Sequence, residues 1–569
     1  MIDHTDFAVN PHPHTIPLAS PPDVIFWLNE KGAPAFDLNT HLQSSMTTLI
    51  PRESYSSEEL EKLYPKGLKL QLVQVFLRHG ERTPVSSRFQ NTGLSPYWPY
   101  CSVAKRMIQM ASSSENLSSW NGFEWRRKME TFGDNDESLV AIGAGGEIEG
   151  ICQHGELTNK GRETTYALGR RLRHLYVDQL GFMPQIKEDS DDIYLRATPI
   201  PRALESLQQA FWGMYPSSAR TLDFEPPVIW ARAINEETLF PNEGNCRRFR
   251  QLARFFADRA AQRWNKSEQM DYLNKIWSKY MPESSPNVAV DSHPRLSGIM
   301  DTVNATDAHG PATKLPFEFY DKKGRGIMDR ISVEEWFAGY NESNEYRKLG
   351  IGALMGDVVD RMVSTAVDGG WRSQNRTLDS ADQEAAKSIK FAMSGCHDTT
   401  IAAILTSLGG FENESWPPFT SSIAIELFSQ AGRTSDAGTM LEEFSNPPVA
   451  PKKPSILSSL FHGGSSVPKE PAPSATARSS LSSFPEESRQ TLRKHYVRLR
   501  YNDRPVRIPG CAAKAENHLA GDDTFCTLDA FKAIVDKFTP ESWITECAQN
   551  TREGLFGSGD REQILAGYA

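Results

Sequence analysis

No apolar run in the sequence approaches the length of about eighteen residues that a helix needs to cross a membrane. It also lacks an excess of basic residues, because its formal net charge is −10. A chain with this charge balance has no general basic face with which to displace the counterions of a nucleic acid. We therefore expect neither an integral membrane segment nor a nucleic-acid partner.

Cysteine is sparse, with seven residues in a chain of 569. Their spacing matches no zinc-binding pattern, and a chain of this size is not expected to be built on a disulfide framework. Cys511 and Cys526 flank a glycine-containing loop, and a disulfide between them would close it. The glycine-rich piece AIGAGGEIEG lacks the lysine of a nucleotide-binding P-loop, so we interpret it as an ordinary loop.

The stretch MIDHTDFAVNPHPHTIPLAS contains acidic residues and no continuous apolar segment. A secretory signal peptide needs such a segment, and mitochondrial transit peptides are poor in acidic residues. We therefore expect a cytoplasmic protein, with a mitochondrial location as the alternative. The sequence leaves the oligomeric state open.

What the sequence does contain is a short apolar strand that ends in a cluster of charged residues. The stretch LQLVQVFLRHGERTP (70–84) begins with an apolar, β-branched run that predicts a buried strand. It continues directly into Arg78, His79, Gly80 and Arg82. In open α/β sheets, ligands bind at the carboxyl ends of the strands. The stretch therefore predicts an anion site at one edge of a sheet.

Two later stretches repeat this arrangement of a strand that leads into polar residues. The strand pattern of Asp192–Arg196 precedes a proline-containing loop, which places Arg202 at a helix start, where backbone N–H groups favour an anion. The strand pattern of Lys390–Ser394 precedes His397 and Asp398, which lead into another helix. Strands that alternate with helices predict an α/β fold with a mostly parallel central sheet flanked by helices.

The rest of the chain divides by composition. The region between the second and third strand patterns is rich in helical periodicity and poor in strand signals, which predicts a mainly helical cap over the site. A later stretch rich in Ser, Pro, Ala and Gly is expected to be disordered. The predicted segments are an N-terminal extension (1–66), an α/β domain (67–429 and 490–569) with cap insertions at about 91–150 and 213–385, and the Ser/Pro-rich insertion (430–489).

The polar residues at the strand ends suit one kind of ligand. Several arginines that converge on one place require an oxyanion with several acceptor atoms, and a phosphate monoester fits this requirement. Hydrogen bonds to charged groups contribute about 1.5–3 kcal/mol each, so such a cluster can bind substrate and stabilise a transferring phosphoryl group. Histidine is a competent nucleophile, and a carboxylic acid can protonate the departing oxygen.

These motifs resemble those of the histidine acid phosphatases, a branch of the histidine phosphatase clan. The segment from Arg78 to Pro84 matches R-H-G-x-R-x-P, and the pair His397-Asp398 matches the distal motif. The segments Gly155–Thr158 and Arg196–Arg202 are similar to two further family motifs. Peripheral pieces look like the lysophosphatidic acid phosphatases; they are Leu239–Asn242 with Cys246, Trp416–Phe419, and the stretch from Gly510 to Phe531.

The resemblance implies a phosphoglycerate-mutase-like fold and a role for each motif residue. His79 would attack phosphorus and carry a phosphohistidine intermediate, and Asp398 would protonate the leaving oxygen, with a protonated fraction that rises in acid. Arg196 looks like support for the pocket. The resemblance implies no metal and no other cofactor. The groups that would hold the phosphoryl oxygens are Arg78, Arg82, Arg202 and His397.

Three functions remain open from the sequence. The first is an acid phosphatase for phosphate monoesters, with a lysophospholipid such as lysophosphatidate as a candidate substrate. The second is a phytase-like phosphatase for inositol phosphates, and the third is a non-catalytic phosphate-binding or scaffold module. The predicted cap contains both basic residues, which suit a polyphosphate, and aromatic residues, which suit a lipid; they are Arg247, Arg248 and Arg250, and Phe249, Phe255 and Phe256.

Overall fold

A nine-stranded sheet forms the centre of the computed structural model. Its strands lie in the order β12-β13-β10-β9-β1-β8-β6-β7, and β11 pairs with β10 at the side. The structure describes residues 47–50, 52, 54–103, 106–112, 120–372, 387–430, 479–554 and 565–568. The strands of the sheet are β1 Leu68–Arg78, β6 Ile193–Ala197, β7 Ile229–Trp230, β8 Phe391–Cys396, β9 Ser422–Gln430, β10 His495–Tyr501, β11 Arg504–Val506, β12 His518–Leu519 and β13 Asp522–Thr527.

The sheet is mixed rather than parallel throughout. Strands β1, β8, β6 and β7 are parallel to one another, whereas β9 pairs antiparallel with β1, and the pairings among β9, β10, β11, β12 and β13 are also antiparallel. The parallel part contains the three strand patterns that the sequence predicts to lead into polar residues. Two small antiparallel ribbons lie outside the sheet; they are β2 Arg106–Ser112 with β3 Trp120–Arg126, and β4 Glu130–Phe132 with β5 Ser138–Val140.

Helices cover both faces of the sheet, so the predicted α/β class with a central sheet and flanking helices is confirmed. Within the described ranges, no helix combines the length and the apolar composition needed to span a membrane. The helices are α1 Ser57–Leu63, α2 Asn159–Arg173, α3 Pro201–Met214, α4 Arg247–Trp264, α5 Glu268–Trp277, α6 Leu296–His309, α7 Lys322–Glu342, α8 Asn344–Arg347, α9 Ala353–Val367, α10 Asp398–Ser407, α11 Glu486–Arg493, α12 Pro509–Ala512, α13 Leu528–Asp536 and α14 Trp543–Glu546.

The alternation of side chains along β1 explains how one strand supports two cores. Leu72 and Phe76 pack into one hydrophobic cluster, which includes side chains of α4, α6, α7 and α9. Val73, Val75 and Leu77 point to the other face and pack with side chains of α2 and α3. Successive side chains of a strand face opposite sides of the sheet. A strand that is buried on both faces therefore has a continuous apolar sequence.

The Ser/Pro-rich insertion, expected to be disordered over 430–489, is partly ordered at its end. Helix α11 begins at Glu486, and Leu492 on this helix is buried in the core. Leu481 is buried as well, so the apolar residues near this end find a place to pack. The boundary of the insertion therefore lies before these residues. The rest of the insertion, 431–478, falls outside the described residues.

Three disulfides correct the expectation that the cysteines form no framework. Cys511 and Cys526 are bonded to each other, with their Cα atoms 5.3 Å apart. The other two disulfides join residues too distant in sequence for spacing to suggest them, Cys101 to Cys152 and Cys246 to Cys547. Disulfides are typical of oxidising compartments, so this set stands against the cytoplasmic expectation.

A buried carboxylate holds the antiparallel side of the sheet together. Glu426 on β9 is fully buried and faces Arg498 on β10, with 2.8 Å between Oε2 and the Arg498 Nη2. Tyr64 and Tyr176 donate hydroxyl hydrogen bonds to Oε1, at 2.6 and 2.8 Å. Burial raises the pKa of Glu426, but Arg498 and Arg500 outweigh it and lower the pKa below its usual value. The carboxylate is therefore ionised and fully partnered.

We expect Glu426→Gln to lower the free energy of unfolding by about 3–5 kcal/mol, because it leaves buried arginines without a counter-charge. Urea denaturation of the full chain measures the change. Glu414→Gln is the matched control, since Glu414 pairs with Arg504, whose side chain is 65% exposed. Such a surface pair contributes about 0–1 kcal/mol. Equal losses in the two variants would contradict the account of this cluster.

Candidate active site

The register of the parallel strands brings the predicted residues together. Arg78 at the end of β1 lies opposite Cys396 at the end of β8, so the residues that follow leave the sheet side by side. The backbone N–H of His79 donates to the Cys396 carbonyl at 3.1 Å. The rings of His79 and His397 consequently lie with their centroids 5.5 Å apart.

Strand β6 brings the third predicted element to the same edge. It pairs with β8 on the side away from β1, and the backbone N–H of Thr198 donates to the Gly395 carbonyl at 3.2 Å. Arg202 is then the second residue of α3. Ser206, one turn later, accepts from the Gly80 N–H at 3.1 Å and donates to the Arg202 carbonyl at 2.7 Å. This serine links the loop after β1 to the helix that carries Arg202.

The tautomer of His79 follows from one hydrogen bond. Its Nδ1 lies 2.9 Å from the carbonyl oxygen of Gly80. A carbonyl oxygen only accepts, so Nδ1 carries the proton and Nε2 keeps its lone pair. Burial, together with the positive charge of Arg202, holds the pKa of His79 well below its usual value. The imidazole is therefore neutral and nucleophilic at Nε2.

Glycine at position 80 is required by a close backbone approach. A Cβ atom there would lie 2.2 Å from the carbonyl oxygen of Gly161, at the start of α2. No L side chain fits at that distance, which explains why the loop after β1 carries glycine between His79 and Glu81. The contact seats this loop directly on the first turn of α2.

The three predicted arginines form a concentration of positive charge. Arg78, Arg82 and Arg202 each have a buried Nε atom with no hydrogen-bond partner in the part of the chain that the structure describes. Burial and the neighbouring Arg82 lower the pKa of Arg202 to about 10. Burial likewise lowers the pKa of Arg78. Such mutual repulsion is relieved when an anion binds between the guanidinium groups.

Asp398 is the first residue of α10 and forms an ion pair with Arg78. The Arg78 Nη2 lies 2.7 Å from Oδ2, and the Trp416 indole N–H donates to the same oxygen at 3.0 Å. Burial raises the pKa of Asp398, but Arg78, Arg82 and the Trp416 hydrogen bond outweigh it and hold the pKa at about 2. The carboxyl group is therefore ionised unless an anion offsets the charge of the arginines. A bound anion raises its pKa, so that its protonated fraction then rises in mild acid.

His397 is held beside His79 by a hydroxyl group. Its Nε2 lies 3.0 Å from the Thr198 Oγ1, and its ring makes an edge contact with Phe240. Burial and the charge of Arg202 lower the pKa of His397 to about 3, so the ring is neutral in the empty site. A bound anion favours its protonated form, which can donate to a phosphoryl oxygen.

The loop after α10 supports the site. From the sequence, its segment Trp416–Phe419 indicated only a resemblance to the lysophosphatidic acid phosphatases. The Phe419 ring lies under the Arg78 guanidinium, with 4.2 Å between the Cζ atom and the ring centroid. The carbonyl of Pro417 accepts a hydrogen bond from Arg78 Nη1. Because the Trp416 indole N–H also donates to Asp398, this loop orients both members of the Arg78–Asp398 pair.

Arg196 lies apart from these groups. It is buried and forms an ion pair with Glu237. Glu237 in turn accepts from the Leu239 N–H at 2.7 Å, and the Leu239 carbonyl accepts from Thr400 on α10 at 2.7 Å. Arg196 therefore supports the start of α10, which fits the supporting role that the resemblance implies.

Sequence reasoning missed Asp301, which is on α6. Its Oδ1 lies 2.7 Å from Nη1 of Arg82, and its Oδ2 lies 3.3 Å from Nη1 of Arg88. The backbone N–H of Val85 also donates to Oδ2, at 3.0 Å. No local motif marks this residue, because its contacts depend on how the helical cap packs over the loop after β1.

These residues open onto a cavity of about 310 Å³ between the sheet edge and the cap. Helix α6 of the cap contributes Met300 and Asp301 to the lining, and helix α7 contributes Trp336. In the described ranges, no group of three or more His, Cys, Asp or Glu side chains is arranged to hold a metal ion. The apolar side chains that line the cavity are Val85, Met300, Trp336, Trp416 and Phe419.

Comparison with known proteins agrees with this geometry. The profile of the histidine phosphatase superfamily (branch 2) matches residues 69–443. The chain belongs to this superfamily. A probable acid phosphatase of Schizosaccharomyces pombe is 36% identical over 85% of this chain and 95% of its own length. The chain is thus a phosphomonoester hydrolase, and its substrate is a phosphate monoester.

One of the more distant relatives of this histidine phosphatase is named for a lipid substrate, and one similar solved structure is a phytase. The lysophosphatidic acid phosphatase type 6 of Homo sapiens is 24% identical over 63% of this chain and 74% of its own length. Among solved structures, a phytase from Hafnia alvei is 11% identical and covers 85% of this chain and 99% of its own, with a TM-score of 0.47.

Sulfate binding is expected to be coupled to proton uptake by the protein. Sulfate itself does not titrate at about pH 5, so protons taken up there come to protein groups. A dianion between the arginines raises the pKa of Asp398 and of His397, which lie at about 2 and about 3 in the empty site. Isothermal titration calorimetry in two buffers with different ionisation enthalpies measures the number of protons.

Asp398→Asn is expected to abolish the proton uptake by the carboxyl group and to leave the proton uptake by His397. The same titration of Glu486→Gln, an exposed carboxylate that pairs with Arg493 and does not line the cavity, is the control and should match the wild type. Sulfate that binds with no proton uptake at about pH 5 would contradict the electrostatic account of the site.

Proposed function

We propose that this histidine phosphatase is an acid phosphatase that works through a phosphohistidine at His79. The observation that carries the proposal is the protonation state of His79, a neutral imidazole whose Nδ1–H donates a hydrogen bond to the Gly80 carbonyl. Nε2 keeps its lone pair, and the ring lies among the positive charges of Arg202, Arg78 and Arg82. A nucleophile beside an anion-binding cluster is the arrangement that covalent phosphoryl transfer requires.

In the first step, Nε2 of His79 attacks phosphorus opposite the ester oxygen. The N–P bond forms as the P–O bond to the alcohol breaks, and the protonated carboxyl of Asp398 gives its proton to the departing oxygen. Arg78, Arg82 and Arg202 hold the equatorial oxygens and stabilise the charge spread over them. His397 completes this set as a donor once the anion has raised its pKa.

In the second step, water attacks the phosphohistidine. The water oxygen bonds to phosphorus, the N–P bond breaks, and Asp398 takes the proton that water loses. Inorganic phosphate then leaves, and His79 and Asp398 return to their starting states. Asp398 thus acts first as general acid and then as general base.

An acidic pH optimum follows from the charge state of Asp398. The bound phosphoryl group raises the pKa of this carboxyl from its low value in the empty site. The acid is then protonated below the raised pKa and ionised above it. Turnover should fall as pH rises through that value, because fewer complexes contain the proton that the leaving oxygen needs.

We propose a substrate with one phosphate and an apolar alcohol part, such as a lysophosphatidate-like lipid. Next to the arginines the cavity offers the aromatic rings of Trp336, Trp416 and Phe419. Its volume of about 310 Å³ is at the small end of ligand pockets, so the head group fits inside and a long chain extends beyond it. The name of the human relative supports the same substrate class.

A phytase-like activity on inositol phosphates is the second candidate. It would require free cations around the first phosphate site to receive further phosphates. Arg88 and Arg295 line the cavity, and Arg88 already pairs with Asp301. Arg295 pairs with Glu335, but burial raises the pKa of Glu335 to about 7, so only the pairing of Arg88 favours the substrate with a single phosphate in mild acid.

A substrate panel at mildly acidic pH tests the proposal. We expect lysophosphatidate to be hydrolysed with a higher kcat/KM than inositol hexakisphosphate, because the cavity is apolar beyond its arginines. His79→Ala should lower turnover of every substrate on the order of a thousandfold, since the nucleophile is lost. Asp503→Asn is the control, because Asp503 pairs with Arg171 far from the cavity lining. A preference for the hexakisphosphate would overturn the assignment of substrate class, and equal activity of wild type and His79→Ala would overturn the role of His79.

A further inference from the structure

We propose that Asp301 determines substrate specificity by excluding a second phosphate group from the neighbourhood of the one being hydrolysed. The inference rests on the proposed function, because it concerns the same cavity. It goes further in assigning the selection for singly phosphorylated substrates to one carboxylate that belongs to no motif of the sequence.

The position of Asp301 brings it to the boundary between the phosphate site and the rest of the cavity. It accepts hydrogen bonds from Arg82 Nη1 at 2.7 Å, the Val85 N–H at 3.0 Å and Arg88 Nη1 at 3.3 Å. All three donors come from the segment that follows β1. The side chain is 13% exposed and lines the cavity. The carboxylate is therefore fixed in place and in reach of a ligand.

The charge balance beyond Arg82 shows what this carboxylate does. Two further arginines line the cavity: Arg88, which pairs with Asp301, and Arg295, which pairs with Glu335. Burial raises the pKa of Glu335 to about 7, so this carboxyl group loses its charge in mild acid and does not compensate Arg295 there. The exclusion therefore rests on Asp301, because a second phosphate beside Arg82 and Arg88 would approach its negative charge. Repulsion between like charges is strong in a partly buried site. Selectivity of this kind comes from a repulsive element as well as from attractive contacts.

A purely structural role for Asp301 predicts a different outcome. A residue that only ties α6 to the loop after β1 would affect all substrates alike when it is changed. A residue that acts through its charge alters the ratio between polyphosphorylated and singly phosphorylated substrates. Asp301→Asn separates the two roles, because asparagine keeps the side-chain shape and an acceptor oxygen but loses the charge.

The matched control is Asp307→Asn on the same helix. Asp307 also pairs with an arginine, with 2.9 Å between its Oδ2 and Nη1 of Arg325, and it also pairs with Lys314. It is not among the residues that line this cavity. The two variants therefore share the helix, the residue type and the change in net charge, and they differ in position relative to the phosphate site.

The experiment measures kcat/KM of the full-length wild type and both variants for an aryl monophosphate and for inositol hexakisphosphate at one ionic strength. We expect the ratio of hexakisphosphate to monophosphate activity to rise about tenfold in Asp301→Asn, the scale of one charge–charge contact in such a site. The ratio should stay at its wild-type value in Asp307→Asn. Asp301→Glu, which keeps the charge, should also keep the low ratio.

An unchanged or lower ratio in Asp301→Asn would overturn the inference, and so would an equal rise in Asp307→Asn.

A second measurement needs no variant. In the wild type, the inhibition constant of inositol hexakisphosphate should be at most about tenfold lower than that of inorganic phosphate. Much tighter inhibition by the hexakisphosphate would overturn the inference. A wild type that hydrolyses neither substrate would instead overturn the proposed function. Dissociation constants of the two anions for each variant would then still decide the role of Asp301.

Discussion

The parallel pairing of β1 with β8 is the constraint on which the site depends. Because Arg78 and Cys396 occupy the same register position, both strands end at one level of the sheet. His79 and Asp398, the proposed nucleophile and the proposed acid, follow these ends, although they are far apart in the chain. The hydrophobic packing on both faces of β1 keeps that register, since a slip would turn its side chains to the wrong face.

Charge balance gives this geometry its chemistry. Three arginines face two carboxylates, Asp398 and Asp301, and the two histidines are neutral, so the protein groups of the site have a net positive charge. A phosphoryl anion completes the balance. Its arrival also raises the pKa of Asp398, so that substrate binding itself prepares the proton donor. In the proposed mechanism, binding and acid catalysis are coupled through one set of electrostatic interactions, and the proposed role of Asp301 is to limit how much negative charge the cavity accepts.

Much of the α/β core was predictable, because strand and helix periodicities and their alternation are local properties of the sequence. The polar residues at or just after the strand ends, Arg78, Arg202 and Asp398, were predictable for the same reason, and the structure places them at one edge of the sheet. Two of the disulfides and the contacts of Asp301 depend on segments that are distant in the sequence. The low pKa of Asp398 in the empty site also depends on tertiary structure, because Trp416 and the arginines reach it only in the fold.

The central claim is that His79 forms a covalent bond to phosphorus. The most direct test is rapid quenching of the full-length enzyme during turnover of an aryl monophosphate, into alkaline denaturant that preserves phosphohistidine, followed by peptide mass spectrometry. The account predicts phosphate on His79, formed and lost at rates that match turnover. Phosphate on another residue, or continued turnover with no phosphorylated peptide, would contradict it.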